Sequence, residues 1–267
     1  MLLVQMGVLL LLIGAVAGVL AGLLGVGGGI VLVPGFYYAF STLGYESDQL
    51  MQVCLATSLA PIIVTSLRSV LSHHKKGAVD WSLLRTWAVG IALGAIIGVW
   101  IASGLRSVAL QAIFGVLGIG VGLYMVAGRA KWRLGEALPK GPKGAAFAPV
   151  IGFLSVLMGI GGGSFAVPVQ TLFSVPIHRA VATAAGVGVI IAVPSVIGFL
   201  FVSIKDAPPL TIGAVNLPAF AIVIAMTLIT APMGAALAHR TDAGRLKRFF
   251  GVFLILVATN MLRKSFT

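Results

Sequence analysis

Leu24-Gly25-Val26-Gly27-Gly28-Gly29-Ile30-Val31-Leu32-Val33-Pro34 is answered 134 positions later by Met158-Gly159-Ile160-Gly161-Gly162-Gly163-Ser164-Phe165-Ala166-Val167-Pro168. In each copy a glycine triplet followed by Val-Pro interrupts a long apolar run. Each glycine costs a helix interior about 1 kcal/mol relative to alanine, so a triplet is a poor helix former. A backbone break at membrane depth is tolerated only where it is buried in protein or lines a cavity. Two such breaks at corresponding places in two halves of a chain point to a transporter's binding site.

The surrounding composition is that of an integral membrane protein. Of the 267 residues, 59% are hydrophobic and 9% charged, and the mean hydropathy is +1.12; soluble domains carry about 25% charged residues. The apolar runs are long and unalternating, which predicts helices and excludes the period-two pattern of a membrane barrel. The net charge of +12 sits in short basic clusters between apolar runs. No aromatic-interleaved basic surface exists, so the charge reads as topology and not as nucleic-acid binding. Cys54 is the single cysteine, which excludes an intrachain disulfide and a thiolate metal site. The stretch 2–24 lacks a basic n-region and a small-residue cleavage site and is expected to be retained.

The repeat extends beyond the glycines. Ala56-Thr57 pairs with Ala182-Thr183, Gly77-Ala78-Val79-Asp80 with Gly213-Ala214-Val215-Asn216, and Phe114-Gly115-Val116 with Phe250-Gly251-Val252. The matches occur in the same order, as gene duplication predicts. Each half holds five apolar segments: 2–24, 30–41, 50–72, 84–103 and 108–127, then 146–160, 164–176, 180–204, 212–239 and 248–262. The expected organisation is a first transmembrane repeat over 1–128, a basic cytoplasmic linker over 129–145 and a second repeat over 146–267. A full span needs about 20 helical residues; a partner of roughly 12 extends only about 18 Å. Each glycine motif is therefore expected at the tip of a hairpin that need not cross the bilayer.

With the linker inside, 14 of the 18 Lys and Arg residues fall on the cytoplasmic side, as the positive-inside rule requires. Arg106, Lys205, Arg263 and Lys264 fall outside. Five segments is an odd number, so the second half enters the membrane in the opposite sense. Loop charge agrees, because the basic loop after the third segment of one half matches the nearly neutral loop of the other. The fold expected is an all-α polytopic membrane protein of two inverted-topology repeats with glycine-interrupted hairpins.

In the stretches 18–34, 52–58 and 77–81, and their counterparts 152–168, 178–183 and 213–216, the chain resembles the sulfite exporter TauE/SafE family of permeases. The resemblance covers nearly the full length. It implies a multi-pass protein of the cell (inner) membrane that transports small sulfur-containing anions such as sulfite, sulfoacetate or other organosulfonates, often outward. The second half reads His178-Arg179-Ala180-Val181-Ala182-Thr183 where the first reads Gln52-Val53-Cys54-Leu55-Ala56-Thr57. A His-Arg pair in contact with substrate would come from one half only.

An anion in a bilayer needs donors and positive potential. A glycine break followed by a helix start supplies unpaired N–H groups and the positive end of a helix dipole. The expected substrate-binding residues are Gly27, Gly28 and Gly29 facing Gly161, Gly162 and Gly163, with Ser164 adding a hydroxyl. Tight helix packing is the rival account of the glycines. Thr57, Ser58 and Thr183 are further polar candidates, unless they bond their own backbone. Gln52 and Gln170 are candidate amide donors. Arg179 could clamp the anion or simply snorkel to the interface, and Arg68 poses the same choice. His73 and His74 adjoin Lys75 and Lys76 and read as loop residues, so no metal and no cofactor is expected.

All six acids lie in loops or at segment ends, so no midplane carboxylate of the kind many ion-coupled carriers use is expected. Efflux of an anion can instead be driven by the inside-negative potential, about 2.3 kcal/mol per charge at 100 mV. A proton-coupled uptake permease and an anion channel remain the alternatives. An enzyme is disfavoured: Gly25 to Gly29 faintly resembles a dinucleotide loop but lacks a βαβ unit and a ribose-binding acid.

Overall fold

The apolar runs form helices whose ends fall within a few residues of those the sequence predicts. A computed structural model describes residues 2–24, 28–128, 133–139, 142–238 and 243–266. The first half contains α1 (Leu2–Leu24), α2 (Gly29–Thr42), α3 (Leu50–Lys75), α4 (Trp81–Gly104) and α5 (Ser107–Ala127). After the short α6 (Pro142–Ala145), the second half contains α7 (Phe147–Leu157), α8 (Gly163–Leu172), α9 (Ile177–Leu200), α10 (Leu217–Ala238) and α11 (Ala243–Lys264). Among the described residues, α1, α3, α4, α5, α9 and α10 carry stretches long and apolar enough to cross a membrane.

α7 and α8 are too short to do so. At 1.5 Å per residue they reach about 16 and 15 Å, half of a hydrocarbon core of about 30 Å. Phe147 at the start of α7 lies 5.8 Å, ring centre to ring centre, from Phe173 just past the end of α8. The Leu134 N–H, in the linker, donates to the Leu172 carbonyl at 2.7 Å. The α7–α8 hairpin thus begins and ends on one side. In the first half α2 folds back along α1, Gly28 facing Ala17 and Gly35 facing Ile13.

The packing repeats with the halves exchanged. α1 lies along α10 and α7 along α4, both in parallel, and in both glycines bring the backbones together. A Cβ at Gly14 would reach the Val223 Cα at 3.2 Å; one at Gly94 would collide with the Pro149 carbonyl. α5 crosses α11 antiparallel, with Gly115 near Leu262 and Gly122 near Ile255. α3 and α9 pack on each other at the centre and are the most buried of the long helices. Outer helices turn apolar side chains outward, as Val89, Trp100 and Ile229 do.

One segment begins later than the sequence predicts. Residues 212–216 are not helical: Thr211–Ile212 and Val215–Asn216 form a two-stranded hairpin, and α10 starts at Leu217. Gly213 turns the chain at φ +59°, where only glycine is comfortable. Asn216 Oδ1 then caps the helix by accepting from the Ala219 N–H at 3.0 Å,. The matched string in the first half uses the same parts. Gly77 has φ +64°, and Asp80 Oδ1 accepts from the Leu83 N–H at 3.0 Å to cap α4.

Candidate functional site

The two glycine motifs meet. A Cβ at Gly29, the first residue of α2, would lie 2.5 Å from the Gly159 carbonyl oxygen and 2.9 Å from the Ile160 Cα. Gly159 has φ +61°, and a Cβ there would lie 2.6 Å from both Ser58 Oγ and Val33 Cγ2. Neither position admits a side chain, because the contacts on one or both sides are backbone or fully packed. The tips therefore touch only because both are bare.

A cavity of about 440 Å³ ends on this junction. Gly28 belongs to its lining, as do Gly161, Gly162 and Gly163. Gly27 lies outside the described residues, and Gly29 sits behind the lining against the other tip. Among the described residues, no acceptor is recorded for the N–H groups of Gly161 through Phe165; the last three are the unpaired donors every helix start leaves. The beginnings of α2 and α8 converge on the cavity, so each adds roughly half a positive charge to its floor. Ser164, within this row, is buried, and its Oγ has no partner among the described residues.

Above the floor, α3 supplies a polar wall of Thr65, Ser66, Arg68, Ser69, Ser72 and His73. α10 faces it with Thr227, Leu228, Ala231 and Pro232. The cavity exists because α10 stands away from α3. On the related side α4 closes onto α9: a Cβ at Gly186 would lie 2.5 Å from Leu84 Cδ1, and one at Gly198 3.0 Å from Val99 Cγ1.

The other polar candidates are engaged elsewhere. Thr57 Oγ1 accepts from the Asn216 N–H at 2.9 Å, and Thr183 Oγ1 accepts from the Asp80 N–H at 3.0 Å. These matched threonines each hold the start of a helix from the other half. Ser58 Oγ lies 2.7 Å from the Gly159 carbonyl and 2.8 Å from the Leu55 carbonyl, and donates there. Gln52 Nε2 donates to the Ala102 and Leu105 carbonyls, tying α3 to the end of α4. Gln170 Nε2 donates to the Ala166 carbonyl at 3.1 Å. Both glutamines keep an unpartnered Oε1, an acceptor that does not suit an anion. Arg179 lies 3.8 Å from Asp80, with more than half its side chain exposed, and is not part of the cavity lining.

Arg68 is the arginine in the cavity wall, a residue the sequence leaves undecided. The signal that could have found the wall is the spacing of Thr65, Ser66, Ser69, Ser72 and His73, one helical face in an otherwise apolar run. The threonine ties carry a prediction. Thr57→Val leaves the buried Asn216 N–H unpaired, at a cost of about 1–3 kcal/mol. It should lower the unfolding temperature in detergent and leave the half-saturating substrate concentration unchanged. Thr183→Val should do the same more mildly, because Asp80 is partly exposed.

Two helical hairpins whose glycine tips meet at a cavity, within a bundle of helices long and apolar enough to cross a membrane, suit a membrane transporter. The profile of the sulfite exporter TauE/SafE family matches residues 10–261, and the chain belongs to that family. A probable membrane transporter protein of Haemophilus influenzae is 32% identical over 259 residues, covering 96% of this chain and 98% of its own length. The probable membrane transporter protein YunE of Bacillus subtilis is 34% identical over 196 residues, 66% of this chain and 71% of its own. A further probable membrane transporter protein, from Methanocaldococcus jannaschii, is 26% identical over 222 residues, 83% and 82% of the two chains. No solved structure matches significantly. The protein is a multi-pass membrane transporter.

Proposed function

We propose that this transporter exports small sulfur-containing oxyanions, sulfite or organosulfonates such as sulfoacetate, by alternating access between two inverted repeats. The observation that carries the reading is the cavity floor, where both glycine tips converge and a row of N–H groups has no acceptor among the described residues. Backbone donors at a helix start stabilise an oxyanion without a fixed full charge that would trap it. The antiparallel crossing of α5 with α11, and the exchange of α1·α10 for α4·α7, support a pseudo-two-fold axis in the membrane plane. The positive-inside rule makes the Lys75–Lys76 end of α3 cytoplasmic. With α10 away from α3 and α4 closed onto α9, the cavity then opens inward.

The pseudo-symmetry supplies the other state: α10 closes on α3 while α4 leaves α9. His73 in the cavity wall gives proton coupling a specific foothold as a second reading. Flux of radiolabelled sulfite from proteoliposomes separates the two. Export driven by potential accelerates with an imposed inside-negative potential and is indifferent to a pH gradient. A flux that follows the pH gradient and ignores potential favours the proton-coupled permease and overturns the first reading. Saturable counterflow is expected of a carrier; unitary currents would make the protein a channel.

A further inference from the structure

We propose that the cytoplasmic half of α3 is a one-sided loading site for the anion, in which Arg68, Ser69 and Ser72 capture it and Ser66 passes it to the glycine tips. The assignment of that end as cytoplasmic rests on the reading above. Several helical serines and threonines in this protein bond their own backbone: Thr65 to the Pro61 carbonyl, Thr227 to Ile224, Thr230 to Met226 and Ser195 to Ile191. Ser66, Ser69 and Ser72 have no such bond among the described residues and line the cavity. Their hydroxyls are free to donate.

Arg68 makes no ion pair with a described carboxylate; the two recorded pairs are Arg106–Asp48 and Arg179–Asp80. Its planar fork matches an oxyanion that presents two oxygens on one face. Ser66 reaches toward the floor. A Cβ at Gly188 would lie 2.5 Å from Ser66 Oγ and 3.8 Å from the Gly162 nitrogen, so Gly188 separates that hydroxyl from the tip donors by little more than its own width.

The repeat shows that this wall is not a by-product of the fold. With Thr57 aligned on Thr183, the counterparts of Ser66, Arg68, Ser69, Ser72 and His73 in α9 are Ala192, Pro194, Ser195, Gly198 and Phe199. Ala192, Ser195 and Phe199 are fully buried, and Ser195 is the one whose hydroxyl is bonded to its own helix. One related face is cationic and hydroxylic; the other is apolar and sealed. A carrier built this way binds its anion from the α3 side through side chains that its exit path lacks. Release on the α9 side then meets no competing cation.

Charge-selective thiol labelling tests this without requiring transport. Cys54, the native thiol, is fully buried. In membrane vesicles of either orientation carrying the full chain, Ser69→Cys is labelled with impermeant methanethiosulfonate ethylsulfonate and with its trimethylammonium analogue. Labelling is expected from the cytoplasmic face only, with the anionic reagent favoured about tenfold over the cationic one relative to a free thiol, as one nearby unpaired charge implies. Arg68→Gln should remove that preference and Arg68→Lys should keep most of it. Ser195→Cys should resist both reagents. Equal rates, a preference that survives Arg68→Gln, or anion-selective labelling of Ser195→Cys would overturn the proposal. If the preference is present while the protein moves neither sulfite nor sulfoacetate, the loading site stands and the proposed substrates fall.

Discussion

Gly29→Ala is expected to reduce flux to a tenth of the wild-type value or less, with the protein still inserted and folded. The new Cβ would sit 2.5 Å from the Gly159 carbonyl oxygen and 2.9 Å from the Ile160 Cα. Both are backbone atoms, so neither can swing aside as a flexible side chain would. Overpacking of this kind costs about 1–3 kcal/mol. Borne by the anion-bound state proposed for this junction, that cost corresponds to about fivefold to a hundredfold in affinity. Gly120→Ala is the control: nothing lies within 4 Å of a Cβ there, and alanine favours the helix. Transport assays beside thermal unfolding separate the outcomes. If Gly29→Ala transports normally, the tips need not touch.

The second large effect is an asymmetry between matched caps. Asp80 and Asn216 end the matched strings Gly77–Asp80 and Gly213–Asn216 and cap α4 and α10 in the same way. Their surroundings differ. Asp80 is partly exposed and lies 3.8 Å from Arg179; Asn216 is fully buried, and its Nδ2 donates to the Pro209 carbonyl and Thr211 Oγ1, each at 3.0 Å. Asn216→Asp keeps the cap and replaces two donated hydrogen bonds with an unpaired buried charge, which costs about 3–5 kcal/mol. Asp80→Asn also keeps the cap and loses only an exposed ion pair, worth about 1 kcal/mol or less. Unfolding temperatures in detergent should therefore fall steeply for the first and hardly for the second. Similar falls would mean that the two positions share an environment.

Much of this fold can be read in the chain because it rests on local signals. Glycine triplets break helices wherever they stand, and apolar runs of 20 residues have few alternatives. The hairpin at 211–216 escapes because two-residue strands carry no periodic signal and Ile212 to Leu217 reads as apolar. The roles of the site residues escape for a different reason. Thr57 and Thr183 stand out as matched polar positions, yet what they bind is a backbone N–H 159 or 103 positions away, and no local pattern encodes that. Arg179 looks like an anion clamp until the fold brings Asp80 beside it. Gln52 and Gln170 look like free donors until the fold supplies carbonyls for them. Arg68 lies in the cavity wall because α10 stands off α3, a tertiary fact with no trace in its neighbours. The glycine motifs are the exception: the role proposed for them needs only their local structure, a bare backbone with unpaired donors.

The most direct test is to locate the anion. Selenite is a heavier analogue of sulfite, and its anomalous scattering at the selenium edge marks its position in crystals of the native protein. The account predicts one site on the cavity floor, with selenite oxygens about 2.7–3.2 Å from nitrogens within the Gly161–Phe165 row. A selenium peak at Arg179, or anywhere outside the cavity with the floor empty, would contradict it.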